Sequence, residues 1–165
     1  MLRDSTMEQS ANHLGDLLSL RGQTMATAES CTGGWIVKAL TDRPGSSDYV
    51  LGGLVTYSNA LKRELLHVSP ESLEREGAVS ESVVRQMVAG AVRSTGADFA
   101  IATSGVAGPG GGSAEKPVGT VWFAWGAPKT GIVAHCCQFE GDRDAVRRQS
   151  VVYALQGLAD YVQTL

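Results

Sequence analysis

A chain of 165 residues, 43% of them hydrophobic and 19% charged, is long enough for one globular domain and too short for two ordinary ones, so we predict a single domain over residues 1–165. Its formal net charge of -3 and the lack of a basic stripe in the sequence disfavour nucleic-acid binding. We also expect no membrane partner and a cytoplasmic location, because no apolar run reaches about 18 residues and the three cysteines lack disulfide-framework spacing.

Helix and strand signals alternate in the first third of the chain. A capping box at residues 5–8 and apolar residues at helical spacing predict a first helix that stops at Gly22. A short strand over 24–28, a helix over 32–40 and a strand over 49–57 follow.

The second half of the chain adds helices, a strand and a hairpin. Helical signals begin near Asn59, near Pro70 (a single turn) and after Ser80, followed by a strand over 98–103, a hairpin of 118–125 and 132–139, and a last helix from near Asp142. Helices that alternate with strands indicate an α/β protein. We predict a three-layer α/β/α sandwich with a mixed, mostly parallel five-stranded sheet.

The segment AESCTGG places a candidate nucleophile where the first strand turns into a helix. Ser30 lies beside backbone N–H groups of Thr32, Gly33 and Gly34, which we expect to be unbonded and able to hold an oxyanion. Two alternatives stay open at this point. Ser30 or Thr32 could be a simple helix N-cap, and Cys31 is a competing nucleophile.

A serine nucleophile needs a base, and the segment TYSNALK supplies one. No histidine has a carboxylate partner at a spacing that selects a Ser-His-Asp triad, which favours lysine as the base. Tyr57 ends the second strand and Lys62 follows in the next helix, so both can overhang the same sheet edge as Ser30. The alternative is a solvated lysine and a strand-end tyrosine.

Two further segments are candidates for binding an anion. The glycine-rich stretch from Thr103 to Gly119 follows a strand and lacks a P-loop pattern, and its amides could form an anion nest. In GDRDAVRRQS, Arg143 stands in the first turn of the last helix, where the helix dipole disfavours a cation, and Arg147 and Arg148 continue the cluster. The alternatives are a flexible surface loop and a solvated helix face. No Cys/His spacing indicates a metal site.

Taken together, AESCTGG, VTYSNALK, GAVSE, TSGVAGPGGGSAEKPVGTVW and GDRDAVRRQS resemble the CinA C-terminal domain family, from about Gln9 to the end of the chain. The resemblance implies an α/β/α homodimer with no metal and no cofactor. It also implies an amidase of pyridine nucleotide recycling and NAD biosynthesis, which converts nicotinamide mononucleotide and water to nicotinate mononucleotide and ammonia.

Matched motif by motif, the resemblance makes Ser30 the nucleophile, assisted by Tyr57 and Lys62. The residues expected to bind the substrate are Thr32, Gly33, Gly34, Thr103, Ser104, Gly105, Gly108 and Arg143. Which of Lys62 and Tyr57 is the general base stays open. The alternative function is a nucleotide-binding regulatory module without turnover.

Overall fold

Five strands form one mixed sheet in the computed structural model, which describes residues 2–165 and their side chains from Thr6 onward. The strands are β1 (Met25–Glu29), β2 (Val50–Val55), β3 (Phe99–Gly105), β4 (Thr120–Ala127) and β5 (Gly131–Gln138). Their order across the sheet is β2-β1-β3-β4-β5. β1 pairs in parallel with β2 and β3, whereas β4 is antiparallel to both β3 and β5, so four of the five strands run in one direction. The predicted mixed, mostly parallel sheet is confirmed.

Helices cover both faces of this sheet. They are α1 (Leu2–Arg21), α2 (Trp35–Thr41), α3 (Asn59–Leu66), α4 (Pro70–Glu76), α5 (Glu81–Thr95) and α6 (Arg143–Gln163), with a 3-10 turn at Ser46–Asp48. α1, α2 and α6 pack together on one face, and α3 and α4 pack against α5 on the other. None of the helices within residues 2–165 is long and apolar enough to cross a membrane.

The alternation of β3 separates the two cores. Phe99 and Ile101 point into the core beneath α1 and α6, and Ala100 and Ala102 point into the core beneath α5. Successive strand residues face opposite sides of a sheet, so the small alanines let α5 approach closely while the large side chains fill the opposite core. Both faces are therefore buried, which confirms the three-layer arrangement.

Serine and aspartate caps set the starts of four helices. The side chains of Ser58, Ser69, Ser80 and Asp142 each accept a hydrogen bond from a backbone N–H in the first turn of α3, α4, α5 and α6. The predicted starts of α5 and α6 agree with this. Asn59, which the sequence predicts as the cap of α3, is the first residue of that helix, because Ser58 is the cap. α4 is a seven-residue helix rather than a single turn.

Two predicted helix starts differ from the structure. α1 begins at Leu2, before the predicted capping box, and the side chain of Ser5 lies outside the described residues. α2 begins at Trp35 rather than at residue 32. The reason is that Gly33 and Gly34 adopt φ values of 60° and 97°, a left-handed conformation that holds the preceding residues in a turn.

Candidate active site

The candidate site lies at the sheet edge where three parallel strands end. β1 pairs with both neighbours so that Glu29 stands level with Val55 of β2 and Thr103 of β3. The residue after β1 is Ser30. The loop after β3 is the glycine-rich segment, and the turn after β2 leads into α3, which carries Lys62. Parallel strands therefore bring three predicted segments to one place.

Lys62 is buried against Ser30. Its side chain belongs to a residue that is only 1% exposed, and its Nζ lies 3.0 Å from Ser30 Oγ. The same Nζ donates to the backbone carbonyls of Thr56 at 2.7 Å and Tyr57 at 3.2 Å. Burial lowers the pKa of Lys62 to about 8, because the charged ammonium loses hydration inside the protein. The alternative of a solvated surface lysine is therefore wrong.

This geometry suits a lysine that takes a proton from serine. A neutral amine has two N–H groups and one lone pair, and Lys62 meets two carbonyl oxygens and one hydroxyl. The carbonyls can receive the two N–H groups, which leaves the lone pair for the hydroxyl proton of Ser30. An amine with a pKa near 8 is neutral in an appreciable fraction of molecules at neutral pH. The pair can act as a nucleophile and its general base.

The cysteines offer no competing nucleophile of comparable quality. Cys31 is buried, and loss of hydration raises the pKa of its thiol to about 12, so the reactive thiolate is disfavoured. Cys31, Cys136 and Cys137 are all unpaired. Across residues 2–165, no group of three or more His, Cys, Asp and Glu side chains is placed to hold a metal ion.

The free N–H groups in the turn after Ser30 are not all the ones that the sequence predicts. The Gly33 N–H donates to the Ser30 carbonyl at 3.0 Å, and the Gly34 N–H donates to the Glu29 carboxylate at 3.2 Å. The expectation that these two amides are free is therefore wrong. Among the described residues, the amides of this turn that make no hydrogen bond to another residue are those of Cys31 and Thr32.

The buried carboxylate of Glu29 organises the turn, and the sequence analysis did not single it out. It accepts hydrogen bonds from the Thr27 and Thr32 hydroxyls and from the amides of Gly34, Ile36 and Val37. An anion is favoured at the start of a helix, where amides lack partners and the dipole is positive. An acidic residue that ends a strand just before a helix start was the signal that could have identified it.

Thr32 and Thr103 belong to the same buried network. Their hydroxyls lie 2.9 Å apart, both residues are fully buried, and the Thr103 carbonyl accepts the Ser30 N–H at 3.0 Å. Ser104 is also buried, and Gly105 packs so closely on β4 that an added Cβ would lie 2.9 Å from the Thr120 carbonyl oxygen. These residues hold the strand ends together. Direct contact of any of them with a substrate stays a prediction.

Arg143 connects the glycine-rich loop after β3 to Tyr57, which follows β2. Its guanidinium donates to the Gly108 carbonyl at 2.7 Å and to the Tyr57 hydroxyl at 3.3 Å. Tyr57 is 62% exposed, and among the described residues its hydroxyl makes no hydrogen bond to Ser30 or Lys62. Its contact with Lys62 is through the backbone carbonyl. A proton-relay role for the Tyr57 hydroxyl stays a prediction.

The two arginines that follow Arg143 differ in their surroundings. Arg147 Nε donates to the Cys31 carbonyl at 3.0 Å, and its Nη2 donates to the Thr32 carbonyl at 3.3 Å. Arg148 forms an i,i+4 ion pair with the exposed Asp144 at 3.4 Å. The solvated-face alternative thus holds for Arg148 only in its pairing with Asp144, because its side chain is 23% exposed and lies 5.0 Å from the Trp35 ring centroid. Arg147 reaches from α6 to the turn at residues 30–34, which we call the nucleophile turn.

Residues 7–162 match the CinA C-terminal domain. The chain belongs to this family. It is 52% identical over 158 residues to nicotinamide-nucleotide amidohydrolase PncC of Escherichia coli (strain K12), covering 95% of both chains, and 53% identical over 148 residues to PncC of Pseudomonas putida, covering 90% and 92%. A CinA-like protein of Desulfotalea psychrophila is 46% identical, and this chain matches 36% of its length.

A solved CinA structure has the same architecture. The competence/damage inducible protein of Agrobacterium tumefaciens superposes with a TM-score of 0.92 at 41% identity over 96% of each chain. In the present CinA domain, the described geometry brings together Ser30 and Lys62, and separately Tyr57, Gly108 and Arg143. The resemblance inferred from the sequence motifs is thus confirmed at the level of family and fold.

Proposed function

We propose that this CinA domain hydrolyses the carboxamide of nicotinamide mononucleotide to nicotinate mononucleotide and ammonia. The observation that carries the proposal is the 3.0 Å contact between Ser30 and the buried Lys62, in a chain 52% identical to an enzyme named nicotinamide-nucleotide amidohydrolase. Its place in cytoplasmic pyridine nucleotide recycling rests on the resemblance alone.

In the proposed reaction, neutral Lys62 takes the hydroxyl proton while Ser30 Oγ bonds to the carboxamide carbon. The C=O electron pair moves onto oxygen, which the free amides of the nucleophile turn stabilise. The proton on Lys62 then passes to the amide nitrogen, the C–N bond breaks, and ammonia leaves. Water, deprotonated by Lys62, attacks the resulting ester. The ester C–O bond breaks, and Ser30 regains a proton as the acid is released.

The remote part of the substrate would be held by Arg143 and the glycine-rich loop. A guanidinium carries five N–H donors in a planar fork that matches phosphate oxygens. Arg143 is exposed and already lies beside the loop through its bond to the Gly108 carbonyl, and the exposed Tyr57 ring stands next to it. Binding energy from the ribose phosphate would orient the carboxamide toward Ser30.

The direct test is release of ammonia and nicotinate mononucleotide from nicotinamide mononucleotide. We expect turnover by the unaltered chain, its loss in Ser30→Ala, and its retention in Cys31→Ala, because the Cys31 thiol is buried and neutral. Undiminished turnover in Ser30→Ala would remove the serine from the reaction. Calorimetric binding of the nucleotide without product would instead favour the alternative of a regulatory binding module.

The homodimer also remains a proposal. Exposed apolar side chains concentrate on edge strand β2 and on α3, namely Leu51, Val55, Leu61 and Leu65, which are 37–48% exposed. Such side chains, next to an unpaired strand edge, favour contact with a second copy of the chain.

A further inference from the structure

We propose that Arg147 is a positioning residue that aims the Thr32 N–H at the oxyanion formed during amide hydrolysis. This inference rests on the proposed function and adds to it a residue on α6, 115 positions beyond the amide that it controls. The role is separate from substrate binding by Arg143, since the contacts of Arg147 are with carbonyls of the nucleophile turn.

The physical basis is the planarity of the peptide group. The carbonyl of Cys31 and the N–H of Thr32 belong to one trans peptide, so they point in opposite directions and rotate together. Arg147 Nε holds that carbonyl at 3.0 Å, and the direction of the Thr32 N–H is thereby fixed. The guanidinium also binds the next carbonyl, that of Thr32, at 3.3 Å. The peptide groups before and after Thr32 are therefore both restrained.

The Cys31 N–H is fixed in the same way, but a backbone hydrogen bond rather than a side chain anchors its peptide group. Its peptide partner, the Ser30 carbonyl, accepts the Gly33 N–H at 3.0 Å. Among the described residues, the two unbonded amides of the turn thus both belong to peptides whose carbonyl is anchored. Two fixed N–H donors directly after a nucleophile are what an oxyanion site requires. The Thr32 amide is the one whose anchor can be changed by substitution.

Arg147 is itself held in place. It follows the buried Val146 on α6, and its guanidinium lies 5.5 Å from the ring centroid of Trp35, the first residue of α2. Stacking on an aromatic face keeps a planar guanidinium oriented. A lysine at this position could reach one carbonyl as a point charge, and it could not reproduce the two-carbonyl fork. The chain with Arg147 and the variant Arg147→Lys should therefore differ in activity.

The experiment compares Arg147→Met, Arg147→Lys and the control Arg148→Met in steady-state hydrolysis of nicotinamide mononucleotide. Loss of an oxyanion donor lowers kcat by about 100-fold or more, so a misdirected donor in Arg147→Met should lower kcat by at least about tenfold, with KM changed by no more than about twofold. Arg147→Lys should fall between Arg147→Met and the unaltered chain. Arg148→Met should keep kcat, because the contacts of Arg148 with described residues are with Asp144 and the Trp35 ring and not with the two turn carbonyls.

A second readout separates positioning from general damage to the fold. The aldehyde analogue of the substrate forms a tetrahedral adduct with serine, and the adduct carries the same oxyanion. Its affinity should fall in Arg147→Met by a factor similar to the fall in kcat, while the affinity for the product nicotinate mononucleotide stays unchanged. Equal losses for both ligands would indicate a structural role and overturn the proposal.

The outcomes for the two proposals are distinguishable. If the unaltered chain turns over and Ser30→Ala does not, but Arg147→Met keeps its kcat and its aldehyde affinity, only the role of Arg147 fails. If the unaltered chain releases no ammonia, both the proposed function and this inference fail.

Discussion

We expect the buried amine of Lys62 to determine how this site responds to pH. Lys62 is 1% exposed, and among the described residues its hydrogen-bond partners are one hydroxyl and two carbonyls, with no carboxylate. These groups stabilise the protonated form less than water does, so the pKa falls to about 8. Activity and stability should both reflect this shift.

We expect kcat/KM for nicotinamide mononucleotide to rise with pH and to level off above about 8, the pKa of Lys62, because the neutral amine is the reactive form. Initial rates between about pH 6 and pH 10 would check this. The control is Tyr57→Phe, which removes the hydroxyl and keeps the carbonyl that contacts Lys62, so its profile should have the same inflection. A profile without an inflection near the expected value would exclude Lys62 as the base.

The lowered pKa of Lys62 also makes the free energy of unfolding depend on pH. The pKa of Lys62 is lower in the folded chain, about 8, than its ordinary value of 10.5, so the unfolded chain binds more protons between these values. The free energy of unfolding should therefore rise with pH across this window. Relative to Lys62→Met, the gain between about pH 7.5 and pH 10 should be about 2 kcal/mol, measured by urea denaturation. An equal pH dependence in both proteins would contradict a shifted pKa.

At the scale of elements, the junction between β1 and α2 depends on Glu29. Glu29→Gln exchanges one acceptor oxygen for an amino group, so a buried amide or hydroxyl donor loses its partner. We expect a loss of about 2–3 kcal/mol in the free energy of unfolding. Asp42→Asn is the matched control, because Asp42 pairs with Lys38 at the exposed end of the same helix and should cost less than about 1 kcal/mol. Similar losses in the two variants would argue against the network.

The contact between α3 and α5 positions the lysine. Gly90 of α5 lies so close to α3 that an added Cβ would stand 2.2 Å from the Leu66 carbonyl oxygen. Gly90→Ala should therefore displace α3 and lower both stability, by about 1–3 kcal/mol, and turnover. Gly52→Ala is a suitable control, since among the described residues no atom other than those of its chain neighbours lies within 4 Å of the added Cβ. Full activity in Gly90→Ala would contradict the prediction that the contact between α3 and α5 positions Lys62.

Local signals in the sequence were sufficient for most elements but not for the nucleophile turn. The Ser80 cap and helical periodicity located α5, because that helix begins where a side chain replaces a missing backbone partner. For α3 the cap was predicted one residue late, at Asn59 instead of Ser58. The start of α2 was misplaced because Gly33 and Gly34 take left-handed conformations, and their amides are bonded to groups in the turn itself. Backbone dihedrals of glycine have no side-chain signature in a single sequence.

At the scale of the whole molecule, the site depends on residues far apart in the chain. The order of elements and the parallel pairing of β1 with its neighbours made the meeting of Ser30 and Lys62 predictable. The reach of Arg147 to the Cys31 carbonyl was not, since it depends on how α6 packs across the sheet layer. Such contacts between layers have no periodicity from which a sequence could reveal them.

Self-association is the remaining prediction at this scale. Sedimentation equilibrium of the unaltered chain should give the mass of a dimer, and Leu51→Asp with Leu65→Glu should shift it toward a monomer. These substitutions place charges on the exposed apolar surface of β2 and α3. Leu20→Asp is the control, because Leu20 is 87% exposed on α1, away from both elements. A monomeric unaltered chain would refute the homodimer.

The depth of the hydroxyl at position 30 has a consequence for inhibitor design. Ser30 is 8% exposed, and Lys62, whose amine lies 3.0 Å from the Ser30 hydroxyl, is 1% exposed. Bulky phosphonylating reagents should therefore inactivate the protein more slowly than small electrophiles do. Covalent probes of Ser30 in this chain should therefore be selected first for small size.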